Sequence, residues 1–100
     1  MITFDKLSHM FAVETKKEYC LEIGFSVLGS EKFSSCWMGK QFDEEKQQDI
    51  YWYGLTEDGE NAYEYISFEE MSDACVFDGR NLKEIWNKVE LWSVDGAEPD

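Results

Sequence analysis

Tyr19 to Leu28 is the most strictly alternating stretch of the chain. Tyr19, Leu21, Ile23, Phe25 and Val27 fall on one side, and Cys20, Glu22, Gly24, Ser26 and Leu28 on the other. A period of two predicts a strand with one buried face. Gly29-Ser30-Glu31-Lys32 reads as a hairpin loop, and Phe33 to Gly39 as a second strand. Gln41 to Gln48 is polar and predicts an exposed loop or a single helical turn. Ile50 to Leu55 predicts a third strand and Asn61 to Ile66 a fourth. Between these two, Asp58-Gly59 in the turn Glu57 to Glu60 is a strong hairpin signal.

Helical spacing appears at both ends. Phe4, Leu7, Met10 and Phe11 share one face, so a helix is expected from Phe4 to about Glu14, with Thr3 as N-cap and Ile2 and Leu7 as a hydrophobic staple. Ser67 and Glu70 have the spacing of a capping box, with Ile66 and Met71 as its staple, ahead of a short helix from Phe68 to about Ala74. Asp78-Gly79 breaks the chain, and Asn81 with Glu84 repeats the capping pattern. Leu82, Ile85, Trp86 and Val89 then predict one face of a two-turn helix. Leu91 to Val94 reads as a last strand stopped by Asp95-Gly96, and residues 97–100 as a frayed tail.

The expected fold is α+β, in the order α-β-β-β-β-α-α-β. An antiparallel sheet of about four or five strands carries an N-terminal helix and two short C-terminal helices on one face. Residues 1–100, with one proline and no internal repeat, read as a single domain. The last strand is expected at an edge or beside the first.

The block Phe77-Asp78-Gly79-Arg80-Asn81-Leu82-Lys83-Glu84-Ile85-Trp86 and the closing Val94-Asp95-Gly96 resemble the C-terminal end of small bacterial proteins of unknown function. The resemblance covers about a third of the chain and implies no activity. Each matching residue also has a structural reading, as turn, cap or apolar helix face.

Charge alters the picture more than motifs do. The net charge is −13, and residues 51–100 carry 13 acidic residues against 3 basic ones. Such a field repels nucleic acid and anionic membrane and suits a basic protein partner, although solubility alone would also account for it. No apolar run of membrane-spanning length occurs, and the N-terminus lacks a signal-peptide core, so a cytoplasmic location is expected.

Catalytic and metal signals are weak. Cys20, Cys36 and Cys75 lack the spacing of a zinc site or a disulfide framework and read as reduced, mostly buried thiols. His9 falls off the apolar stripe of its helix, where no orienting partner is visible. The acidic turn from Thr56 to Asn61 lacks the spacing of a calcium loop, and no phosphate-binding glycine motif occurs. No metal, cofactor or enzymatic activity is expected.

One cluster has a functional flavour. Alternation sends Trp52 toward the core and Tyr51, Tyr53, Tyr63 and Tyr65 to the opposite face, near Glu57, Asp58, Glu60 and Glu64. That face reads either as covered by helices or as a binding surface, since tyrosine anchors many interfaces. The leading expectation is a non-enzymatic module that covers a basic partner surface. Toxin-neutralising immunity proteins and nucleic-acid-mimicking inhibitors do this, an analogy of charge and size. The alternatives are a small-molecule-binding domain, with His9 or a cysteine reacting, and a structural homo-oligomer such as a homodimer.

Overall fold

Thr3 begins the first element. Its Oγ1 accepts from the Lys6 N–H at 3.1 Å, satisfying one orphan donor of α1 (Phe4–Ala12). The computed structural model describes residues 2–12, 20–57 and 61–97. Four strands follow: β1 (Leu21–Val27), β2 (Cys36–Asp43), β3 (Gln48–Gly54) and β4 (Ala62–Tyr65). Then come α2 (Phe68–Asp73), α3 (Leu82–Ile85), a 3-10 turn (Trp86–Lys88) and β5 (Val89–Val94). The fold is α+β with the element order that the hydrophobic pattern predicts.

The strands form one sheet in the order β4-β3-β2-β1-β5, every neighbouring pair antiparallel. Three successive hairpins build β1 to β4, and β5 returns to the free edge of β1, with Val27 opposite Val89. The helices lie on one face. Leu7 and Phe11 from α1, Met71 from α2, and Leu82 and Ile85 from α3 join Leu21, Ile23, Phe25, Met38 and Tyr53 of the sheet in one core. Trp86 ties the chain ends together, its Nε1–H donating to the Ile2 carbonyl at 3.0 Å while the Phe4 ring meets it edge-on.

Both Asp-Gly turns of the described C-terminal part have one geometry. Asp78 and Gly79 take φ of 54° and 88°, and Asp95 and Gly96 take 52° and 83°. Positive φ at both central positions is the type I′ arrangement, in which Asp is tolerated and Gly is free. Paired backbone bonds close each turn, between Phe77 and Arg80 and between Val94 and Ala97. Asp95 also clamps β1, its N–H donating to the Glu22 carbonyl and its Oδ1 accepting from the Glu22 N–H, each at 2.8 Å. The block from Phe77 to Trp86 and the closing Val94-Asp95-Gly96 are therefore turn and cap chemistry. Asn81 and Glu84 form a full capping box, at 2.9 and 3.0 Å.

Several boundaries differ from the sequence reading, each for a local reason. Gln41 to Gln48 is no loop. β2 continues to Asp43, a tight turn follows in which Asp43 Oδ1 accepts from the Glu45 and Lys46 N–H groups, and β3 starts at Gln48. Gln41 and Asp43 on the outer positions, and Lys40 on an inner one, masked this strand. Phe33 precedes β2 as a buried loop residue. Val89 opens β5 rather than closing a helix, because α3 tightens into the 3-10 turn after one turn. The Ser67 cap forms, with Oγ accepting from the Glu70 N–H at 3.0 Å, but the staple does not. Ile66 is 64% exposed while Met71 is buried, since alternation turns Tyr65 inward and Ile66 outward. The expected end of the first helix, the start of the Tyr19 strand, the Asp58-Gly59 tip and residues 98–100 of the expected frayed tail lie outside the described residues.

Candidate functional site

The four tyrosines face the helices, which is the covered one of the two readings of that face, and Trp52, expected toward the core, lies on the opposite face. Register fixes this. Tyr51 sits opposite Lys40, which sits opposite Leu21; Tyr53 sits opposite Met38, which sits opposite Ile23. Residues in one row share a face, so the tyrosines follow the buried side of β1. Tyr53 is 1% exposed, its hydroxyl donates to the Met71 carbonyl at 3.1 Å, and its ring meets Tyr65 and Phe77 edge-on. Burial drives its phenol far above the ordinary range. Tyr51 packs beside Phe11, Tyr63 donates to Asn61 Oδ1 at 3.2 Å, and burial, with Tyr63 and Glu70 nearby, raises the Tyr65 phenol. The Tyr53 and Tyr63 hydroxyls are thus both hydrogen-bonded within the fold. Replacing Tyr51 and Tyr53 would therefore test the core, not a surface.

The acidic residues expected beside the tyrosines are dispersed. Glu57 is exposed in the loop after β3, and Glu64 lies opposite Trp52, on the far face from the tyrosines. Asp58 and Glu60 lie outside the described residues.

The opposite face of the sheet carries no helix among the described residues and is built on glycine and tryptophan. One row reads Glu22, Gly39, Trp52, Glu64 across β1, β2, β3 and β4; the next reads Ser93, Gly24, Trp37, Gly54, Ala62 from β5 to β4. The Trp52 ring lies over Gly39, where a Cβ would overlap that ring and the Leu21 carbonyl. The Trp92 ring lies over Gly24, at an irregularity in the pairing where Phe25 meets Leu91 but Gly24 meets Ser93. The extra residue at this bulge is Trp92, which is re-aimed across the sheet and 41% exposed. It meets Trp37 edge-to-face, with ring centroids 4.9 Å apart.

Gly54 differs from those two glycines. No atom lies within 4 Å of where its Cβ would stand. It floors an open cavity of about 460 Å³ lined by Glu22, Ser35, Trp37, Trp52, Thr56 and Glu57. A second, of about 590 Å³, lies on the other side of Trp52 toward Gln41, Tyr63 and Glu64. The Trp52 Nε1–H is buried with no acceptor among the described residues. Carboxylates ring the face: Glu22, Glu64 and Glu90 from the strands and Glu57 beside them. The single lysine of the five strands, Lys40, points to the helix side.

Sequence reading missed this face. The signal was there in Gly24, Gly39 and Gly54, since glycine inside a strand marks close approach of a large group or an open floor. It became readable only once pairing set Trp52 in the row of Gly39 and Trp37 in the row of Gly24 and Gly54.

His9 is exposed on α1, and Cys20 and Cys75 are exposed, contrary to the expectation of mostly buried thiols. Their thiols lie 3.9 Å from Glu22 Oε1 and 3.8 Å from the Asp73 carbonyl, respectively. No group of three or more His, Cys, Asp or Glu able to hold a metal occurs among the described residues, and no helix there is long and apolar enough to cross a membrane.

The fold and face together define an α+β sheet protein with one helix-covered side and one open, tryptophan-bearing, acidic side. No family model matches the chain, and no curated protein or solved structure matches it either.

Proposed function

We propose that the protein is a non-catalytic interaction module whose open sheet face covers a basic surface on a partner protein, in the manner of an immunity or inhibitor protein. The observation that carries the reading is the coincidence of Trp37, Trp52 and Trp92 with Glu22, Glu64 and Glu90 on the face opposite the described helices. Tryptophan is the residue type most enriched among interface anchors, and a carboxylate rim steers a basic partner. The net charge of −13 opposes nucleic acid and anionic lipid. It also opposes a second copy, which would bring the same charge to the same face.

The test is capture of partners from the lysate of the native host by wild-type protein and by two variants, Trp92→Ser and the triple charge reversal Glu22→Lys, Glu64→Lys, Glu90→Lys. The wild type is expected to retain one stoichiometric basic protein that resists nuclease and elutes with salt, and both variants are expected to lose it. Equal retention by the variants overturns the reading.

A further inference from the structure

We propose that the cavity floored by Gly54 receives an arginine side chain of the partner, its guanidinium held between Trp37 and Trp52 and paired with Glu22 and Glu57. The inference rests on the interaction-face reading and names what that face would grip.

The walls have the chemistry a guanidinium needs. Trp37 and Trp52 flank the cavity of about 460 Å³, and Glu22 and Glu57 line its rim. A planar cation stacks on indole faces, which attract positive charge through their quadrupole, and still offers its fork of N–H donors sideways to carboxylates. An ammonium presents a more strongly hydrated point charge, so arginine fits this set better than lysine. The walls are also held in place. Trp92 braces Trp37 edge-to-face, and Trp52 is seated over Gly39. Little side-chain freedom is then left to lose on binding.

The floor makes the site open. Gly24 and Gly39 are each covered by a tryptophan ring, whereas nothing stands above Gly54. Gly54 is not among the glycines with positive φ, so its backbone does not require glycine. Lys32 lines the adjoining depression with Glu57 but is paired with Asp78 at 3.2 Å.

The test titrates two tripeptides into isotopically labelled protein, acetyl-Gly-Arg-Gly-amide and the same peptide with citrulline, which keeps the shape and removes the charge. The indole N–H signals of the tryptophans are followed by nuclear magnetic resonance. The arginine peptide is expected to shift Trp37 and Trp52 but not Trp86, with affinity about tenfold or more above that of the citrulline peptide. The Gly54→Val variant, which fills the floor, is expected to abolish the shift. Equal response to the two peptides overturns the proposal without needing any variant, as does a shift that survives Gly54→Val. Failure here leaves the broader reading standing if partner capture still depends on Trp92 and the carboxylate rim; loss of that dependence removes both.

Discussion

Cys36 shows how one buried group sets a chemical limit on the whole protein. Its side chain is fully buried, Sγ donates to the Leu55 carbonyl at 3.4 Å, and burial pushes the thiol from 9.0 up to about 11. Cys20 and Cys75 are exposed. Two thiols per chain are therefore expected to react rapidly with an alkylating reagent at pH 8, the third only after denaturation, as counted by mass spectrometry. The same burial ties stability to alkaline pH. Below pH 9 the thiol is protonated in both folded and unfolded chains and contributes no pH dependence. Between 9 and about 11 the unfolded thiol ionises while the folded one holds its proton, so stability falls as pH rises through this window. Two pH units correspond to about 3 kcal/mol, and the raised Tyr53 phenol adds in the same direction at higher pH. Urea midpoints measured from pH 8 to 11 are expected to decline for the wild type and more gently for Cys36→Val. Equal slopes would remove the thiol from the account.

Lys40 links two elements that share no strand pairing. It is 3% exposed on the helix side of β2, yet its Nζ donates to the Phe11 carbonyl at 2.8 Å and lies 3.4 Å from Asp49 Oδ2 and 5.3 Å from the centre of the Tyr51 ring. The Phe11 carbonyl belongs to the last turn of α1, where orphan acceptors and the helix dipole favour a cation. Lys40→Met is expected to cost about 2 kcal/mol by chemical denaturation, leaving a buried acceptor and a carboxylate short of a partner. Adding Asp49→Asn should cost less in that background than in the wild type, giving a coupling of about 1 kcal/mol in a double-mutant cycle. Strict additivity would refute the link. Lys40 also shows why the fold was partly legible in sequence. Elements whose signal lies in their own residues, such as the alternation of β1 or the Asn81 cap, were readable. The second half of β2 was not, because Lys40 reads as surface until a helix end is placed above it. The tyrosine face was misread for a like reason. Ile50 to Gly54 is apolar or aromatic at both parities, and only pairing with Met38 and Lys40 decides which side is buried.

At the scale of the molecule the charge is uneven in kind as well as amount. The helix-covered face buries its single strand lysine, while the open face carries the strand carboxylates Glu22, Glu64 and Glu90 with no strand cation among them. A chain of net charge −13 repels itself when compact, and salt screens that repulsion over a Debye length of about 10 Å at 0.1 M. The melting temperature is therefore expected to rise by several degrees between about 0.01 M and 0.15 M sodium chloride, where a sheet protein held mainly by surface ion pairs would soften. The charge-reversed triple variant should respond less to salt than the wild type. A response as large would mean that the sheet face contributes little to the repulsion.

The place of β5 beside β1 has a consequence in time. Phe25 and Leu91 are partners in the finished sheet, yet roughly 65 residues are made between them, about 3 to 13 s of synthesis. Through that interval β1 can pair with β2 on one edge while its other edge stays open, a row of unsatisfied backbone groups that any extended chain could join. The final strand is thus the one that seals the nascent sheet.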